Sequence, residues 1–219
     1  METLTPDYRD LAERLPEGAT LVIHQTGWED YERLLEDLAD RPRLRVSYDC
    51  GKLEIMTPLP EHEAFARFID DVVRVLAEEL VLTLEKRGSA TWKTRRLAKG
   101  VEPDACYYVA NAHRIIGKRE IDLESDPPPD LVVEVDVTNE SLTKFPIYAA
   151  LSVREIWRYD GKTAQFYELA GDGYREISES PSLVGMTPAM LADALERSKT
   201  QGQTAALQTF RQHWRRSPS

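Results

Sequence analysis

The sequence predicts a mixed α/β fold of α+β character: a mixed central β-sheet flanked by helices, with a helical tail at the C-terminal end. Three observations carry this expectation. Short runs rich in Val, Ile and Tyr recur between turn signals, among them VEPDACYYV, PDLVVEVDVT and IWRY, and they are too short for anything but strands. From about Glu61 to Lys86, Phe65, Phe68, Ile69, Val72, Val73, Leu76 and Leu80 recur at helical spacing, which predicts a long helix lying across the sheet. From Pro188 onward the pattern is helical, broken near Gly202 and polar enough to pack one face only.

Taken in order, TLVIH reads as a short strand and WEDYERLLEDLAD as an amphipathic helix. RLRVSYD and KLEIMTP form a hairpin around Asp49, Cys50 and Gly51. The long helix follows, then the strand that Asp104 opens. NAHRIIGKREIDLESDPPPD reads as a loop or small hairpin ending in three stiff prolines. After the strand holding Glu134, Pro146 is tolerable only in a first turn, so the next helix starts near Ser141 to Phe145 and runs through Leu151. Ile156 to Tyr159 is extended, and beyond Gly161 the runs TAQFYEL and YREIS add antiparallel strands. There is no internal repeat and no low-complexity segment.

Composition sets the outer limits. At 219 residues and 42% apolar content the chain can bury one sizeable core, in one domain with a helical tail. Cys50 and Cys106 are too few and too far apart for a disulfide scaffold, so a reducing, cytoplasmic setting is expected. METLTPDYRDLAERLPEG carries acids and no apolar run, which argues against a signal peptide, and no stretch approaches a membrane span. The four His and two Cys form no close pair of the kind zinc needs. GxGxxG, Walker and GxSxG patterns are absent. With Lys and Arg at 28 against 38 acids, the net charge of −10 opposes tight nonspecific DNA binding.

The chemistry concentrates in two strands. Side chains two apart share a face, so Asp104, Cys106 and Tyr108 look one way, as do Val132, Glu134 and Asp136 in the second strand. Leu131, Val133, Val135 and Val137 make the opposite face wholly apolar, which marks this strand as central and buried. A carboxylate such as Glu134 in that setting requires a cation, a hydrogen-bond network or a raised pKa. Asp104 and Asp130, at strand ends, also suit the plainer role of turn caps. Paired carboxylates on neighbouring strands suggest a metal site. Lys144 falls near a helix N-terminus, close to the C-terminal end of the Glu134 strand, where free N–H groups favour an anion such as phosphate; its plain alternative is a solvated lysine. KRGSATWKTRRLAKG offers Lys86, Arg87, Lys93, Arg95, Arg96 and Lys99 as a basic strip, with Trp92 placed to stack on a base; the same run also reads as an edge strand protected by its charges. The terminal RQHWRRS reads as a basic helix end.

The order of PD, a strand, PDLVVEV and a Lys-containing helix with IYAALSVREIWRYDG resembles the Uma-two family, proteins placed among the restriction-endonuclease-like nucleases named for a PD-(D/E)xK motif. The likeness runs from about Trp28 to Leu169, specific in the middle and weak at both ends. It implies a restriction-endonuclease-like domain over residues 28–180, between an N-terminal segment 1–27 and the helical tail 181–219. It also implies a divalent metal, usually magnesium with manganese as an alternative, held by Asp104 and Glu134, and a lysine that orients or activates the attacking water. The usual lysine two residues after the Glu is replaced here by Asp136, a further ligand or supporting acid, and Lys144 is the matching position on the next helix. An acid on the first long helix is a familiar additional site member, which brings in Glu63. His62, on the core side at the start of that helix, also matches the family; a capping acid and a satisfied core His are the plain alternatives. Lys93, Arg95 and Arg96 become the nucleic-acid contacts, with DNA expected ahead of RNA and a homodimer expected to cut two strands.

Three readings follow. The first is a magnesium-dependent endonuclease. The second is a nuclease-like fold kept as a noncatalytic, dimeric interaction module, which the acidic charge and the displaced lysine permit. The third, a carboxylate-based hydrolase acting on a sugar, is disfavoured by the lysine and by the resemblance.

Overall fold

The computed structural model describes residues 8–38, 44–137 and 141–216. Residues 1–7, the expected helix end at Ala39 and Asp40, the hairpin start at Arg43, the segment Thr138 to Glu140 and Ser217 lie outside them.

The chain opens with α1 (Tyr8–Glu13), β1 (Thr20–Ile23) and α2 (Trp28–Asp37). The hairpin β2 (Arg45–Asp49) and β3 (Lys52–Met56) turns through Cys50 and Gly51, both at positive φ (46° and 96°), the two-residue turn that matches strand twist. Next come α3 (Pro60–Glu79), β4 (Glu85–Lys86), β5 (Trp92–Thr94), a 3-10 turn at Arg95–Leu97, and β6 (Lys99–Val101). The segment that builds the site is β7 (Ala105–Tyr108), α4 (Ala112–Ile115), β8 (Leu131–Val135), a 3-10 turn at Ser141–Lys144 and α5 (Phe145–Ala150). β9 (Glu155–Tyr159), β10 (Ala164–Ala170), β11 (Gly173–Ile177), α6 (Pro188–Gln201) and α7 (Gln203–Arg216) complete the described fold.

These strands make two sheets. The antiparallel one has the order β1-β3-β2-β6-β5. The other runs β11-β10-β9-β8-β7-β4 and is mixed, with β8 parallel to β9 and every other neighbour antiparallel. β8 is interior and buried along its whole length, as its two-faced apolar pattern requires. On one face, Leu131, Val133 and Val135 pack against Phe65, Phe68, Ile69, Val72, Val73 and Leu76 of α3. Leu191 and Leu195 of α6 and Ala206 and Phe210 of α7 enter the same core. On the other face, Val132, Cys106 and Tyr108 meet Ile147 and Tyr148 of α5. The antiparallel sheet covers a separate cluster that includes Trp28, Tyr31, Leu34 and Tyr48, in which the Tyr31 and Tyr48 rings stack at 4.9 Å. The single core expected from composition is thus divided, because a central sheet buried on both faces needs a layer on each. β6 admits only glycine at Gly100, since the Tyr31 hydroxyl lies 2.1 Å from where a Cβ would stand.

Two local expectations are corrected and one is filled in. The long helix stops at Glu79 rather than Lys86, and Val81 turns away at φ 56°, 90% exposed. Glu85 and Lys86 instead pair with Tyr108 and Tyr107, because the open edge of β7 needs backbone partners and that need overrides local helix propensity. The stretch after β7, read as a loop or small hairpin, is a loop that opens with one helical turn burying Ala112 and Ile115. Asp136 lies just past β8, its N–H still bonded to the Tyr159 carbonyl at 2.7 Å.

Candidate active site

The antiparallel register of β7 and β8 pairs Ala105 with Val133 and Cys106 with Val132, so Asp104, the residue before β7, falls opposite Glu134. Residues directly opposite in an antiparallel pair point to the same face, and the two carboxylates therefore share one. Asp104 enters this position through its backbone, its N–H bonding the Val133 carbonyl at 3.1 Å, while its Oδ2 accepts the Val135 N–H at 2.8 Å. Glu134 is 1% exposed. The 3-10 turn and Pro146 start α5 where the Lys144 ammonium reaches back over the strand, and its Nζ donates to Glu134 Oε2 at 2.8 Å. One helical turn later Tyr148 donates its hydroxyl to Oε1 of the same carboxylate.

From the opposite side, α3 begins at Pro60 and places His62 in its first turn, with Nε2 3.1 Å from Asp104 Oδ2. The distance is that of a hydrogen bond but the alignment is not: neither ring nitrogen has a hydrogen-bond partner among the described residues, nor does Asp104 Oδ1. The contact is therefore one of proximity, and it becomes an ion pair when the imidazole is protonated. Arg45 arrives from β2, in the other sheet, with Nε 3.6 Å from Asp104 Oδ1 and an Nη 3.3 Å from Glu63 Oε2. Among the described residues Glu63 is linked to the centre through this arginine, and its other oxygen accepts from Arg67 at 2.9 Å.

Burial and charge pull these groups apart. Burial raises the Glu134 carboxyl, and the Asp104 charge adds to it, so that even with Lys144 beside it the group rises from 4.5 to about 7. Asp104 moves the other way: burial pushes it up, but His62, Lys144 and the Val135 N–H together hold it below the ordinary carboxylate value. Burial alone would lower His62, and the Asp104 contact raises it past the ordinary imidazole value. Lys144 is likewise desolvated, yet Glu134 and Asp104 keep its charge on. The ammonium form of Lys144 is thus favoured, while Glu134 and His62, both raised, are the members shifted toward holding a proton.

Asp104, Glu134, Lys144 and His62 are brought together. Asp136 is turned to a neighbouring ion pair with the Arg158 Nε, and no group of three or more His, Cys, Asp or Glu that could hold a metal ion occurs among the described residues. Lys93, Arg95 and Arg96 lie on β5 and the 3-10 turn after it, each beside an acid. Lys93 bonds Glu32 at 3.0 Å, Arg95 bonds Glu29 and Glu32 at 2.9 Å each, and Arg96 stands 3.7 Å from Glu124. Trp92, expected to stack on a base, is 2% exposed and packs edge-on against Tyr108, because an indole on an edge strand gains more from the core than from water. Two site members were missed by sequence reasoning. Tyr148 stands four residues after Lys144, one turn along the same helix face, and that spacing was a usable signal. Arg45 had no such signal, since its place depends on how two sheets meet.

A family model described as Uma2, "Putative restriction endonuclease", matches residues 28–197. The chain belongs to the Uma2 family. Among solved structures, this Uma2 protein is similar to a chain described as a putative nuclease belonging to DUF820 from Anabaena variabilis, at 16% identity and a TM-score of 0.49, covering 74% of this chain and 98% of that one. No curated protein matches it. Among the described residues of this Uma2 chain, no helix is long and apolar enough to cross a membrane.

Proposed function

We propose that this protein is a magnesium-dependent endonuclease that hydrolyses phosphodiester bonds of nucleic acid, DNA ahead of RNA. The observation that carries the reading is the buried pair Asp104 and Glu134, opposite one another on adjacent strands, with Lys144 Nζ 2.8 Å from Glu134. Asp104 and Glu134 would hold the ion, and manganese would substitute. The residues fit such an ion: their donors are hard carboxylate oxygens, and buried Asp104 Oδ1 has no hydrogen-bond partner among the described residues. Two carboxylates suffice, because magnesium is commonly held by one or two, with water and substrate phosphate filling the rest of its shell. When bound, the ion supplies charge neutralisation at the phosphate and an acidified water.

The chain's own residues divide the remaining work. Lys144, kept as an ammonium, donates hydrogen bonds to the attacking water or to the phosphate and does not accept a proton. Tyr148 fixes the second oxygen of Glu134, so the carboxylate has one orientation to offer. His62 lies 3.1 Å from Asp104 on the α3 side, and its protonated form would offset that carboxylate's charge. Asp136, held by Arg158, supports the strand end rather than the ion directly.

One observation favours a second reading. Each acid of the cluster already has a basic partner: Lys144 for Glu134, His62 and Arg45 for Asp104, Arg158 for Asp136. A noncatalytic module would be built in the same way. Calorimetry with magnesium and manganese on the wild type and on Glu134→Gln, followed by cleavage assays on DNA and RNA, separates the two. Metal binding lost in the folded variant, with metal-dependent nicking by the wild type, is the expected result; a folded wild type that binds neither ion at millimolar concentration overturns the nuclease reading.

A further inference from the structure

Arg45 is a guanidinium almost enclosed by protein, with only 7% of its side chain exposed. It comes from the sheet that does not carry the two acids. It stands in a row of alternating charge that leads from the buried site to solvent: Asp104, Arg45, Glu63 and then Arg67, whose side chain is 71% exposed. Neither ion contact is tight, at 3.6 Å to Asp104 and 3.3 Å to Glu63. An arginine held for its hydrogen-bond geometry forms a close, forked pair with one carboxylate. This one is divided between two carboxylates, with a hydrogen bond to Glu63 and a longer ion contact to Asp104. Its planar, weakly hydrated fork suits a phosphodiester as well as it suits a carboxylate.

We propose that Arg45 couples cation and nucleic acid at this site. In the ligand-free protein it is the counter-ion of Asp104. In the complex it pairs with a phosphodiester that enters past Glu63 and Arg67, and Asp104 is left to the metal. Because Arg45 and a divalent ion compete for one carboxylate, the cation binds weakly until a phosphate draws the guanidinium away. By linkage, nucleic acid and metal then strengthen each other's binding. The inference rests on the nuclease reading but concerns a residue that the reading itself does not need.

The test uses the whole chain and two binding measurements that involve no turnover. A short fluorescent DNA oligonucleotide is titrated by anisotropy in chelator, and manganese is titrated by calorimetry without oligonucleotide. Arg45→Gln is expected to weaken oligonucleotide binding about tenfold or more, the size of a lost charge-assisted hydrogen bond, and to tighten manganese binding. A folded Arg45→Gln with weaker manganese binding overturns the proposal, because Arg45 then merely holds Asp104 in place; unchanged oligonucleotide affinity overturns it equally. Should Arg45→Gln fail to fold, Arg45→Lys keeps the charge and loses the fork: weakened oligonucleotide binding supports the proposal and wild-type affinity overturns it. A wild type that binds no manganese even with oligonucleotide present counts against the nuclease reading itself, whereas a wild type that binds it and variants that behave identically count against Arg45 alone.

Discussion

Two regions of this molecule use the same residue types at nearly the same distances to different ends. In the buried cluster, Lys144 meets Glu134 at 2.8 Å with both side chains under a tenth exposed. On the strip along β5, Lys93 meets Glu32 at 3.0 Å with side chains 38% and 32% exposed, and Arg95 meets Glu29 with both well over half exposed. Contact distance does not separate them; dielectric does. Removing one partner of a buried pair leaves a charge that water cannot reach, while removing one partner on the surface leaves a charge that water solvates at once. The buried region is therefore the one whose charges hold a defined arrangement and whose pKa values move far enough to bear on chemistry.

The largest effect expected from this contrast is at Glu134. Glu134→Ala strands the Lys144 ammonium and the Tyr148 hydroxyl, and should cost about 3–5 kcal/mol in urea denaturation. Glu134→Gln keeps one acceptor oxygen for Lys144, and its amide N–H can donate to the Tyr148 hydroxyl oxygen, so it should cost clearly less. Adding Lys144→Met to Glu134→Ala should restore much of the loss, because the uncompensated charge goes with the lysine. If the double variant is as unstable as the sum of the singles, the pair is not the unit argued here.

A smaller effect is expected from pH, measured in chelator. The Glu134 carboxyl is raised in the folded state from 4.5 to about 7, so the folded protein binds this proton more tightly than the unfolded chain. The stability that results is fully present below pH 4.5 and is lost as pH rises through about 7. His62, raised from 6.5, acts in the same sense, its contribution being lost as pH climbs through its folded value. Asp104, lowered from 3.8, acts in the opposite sense, and its contribution is lost as pH falls through its folded value. The wild type should therefore lose stability on moving from pH 5 to pH 8, and Glu134→Gln should show a shallower fall over the same interval. Equal slopes would mean that Glu134 titrates near its ordinary value despite its burial.

The two regions also differ in how far they could be read in advance. Glu134 stood out because a carboxylate among Leu131, Val132, Val133 and Val135 has no inexpensive environment, and that argument needs only the strand itself. The helix start followed from Pro146, and with it the place of Lys144. Arg45 was invisible because β2 reaches the site through pairing between distant segments: its neighbour Val46 donates to Glu102, 56 residues on. The basic strip was legible as a set of charges but not as a neutralised one, since Glu29 and Glu32 lie more than 60 residues before the arginine they hold. The end of α3 was misplaced for a related reason, a backbone partner required by β7 that helix periodicity does not record.

The smallest expected change is on the strip itself, and it sharpens the contrast from the other side. Glu29→Gln with Glu32→Gln removes the two acids that hold Arg95 and the one that holds Lys93, all at exposed or half-buried positions. Thermal stability should be unchanged within error, because solvated pairs at this exposure contribute little to folding. Oligonucleotide affinity should instead rise, and its salt dependence should steepen, as two cations become available to phosphates. A clear fall in stability would show that the strip is a structural clasp between α2 and β5, and that its charges are not held ready for a phosphate backbone. Unchanged stability with unchanged affinity would place the nucleic-acid contacts elsewhere and leave the buried cluster as the region that carries the function.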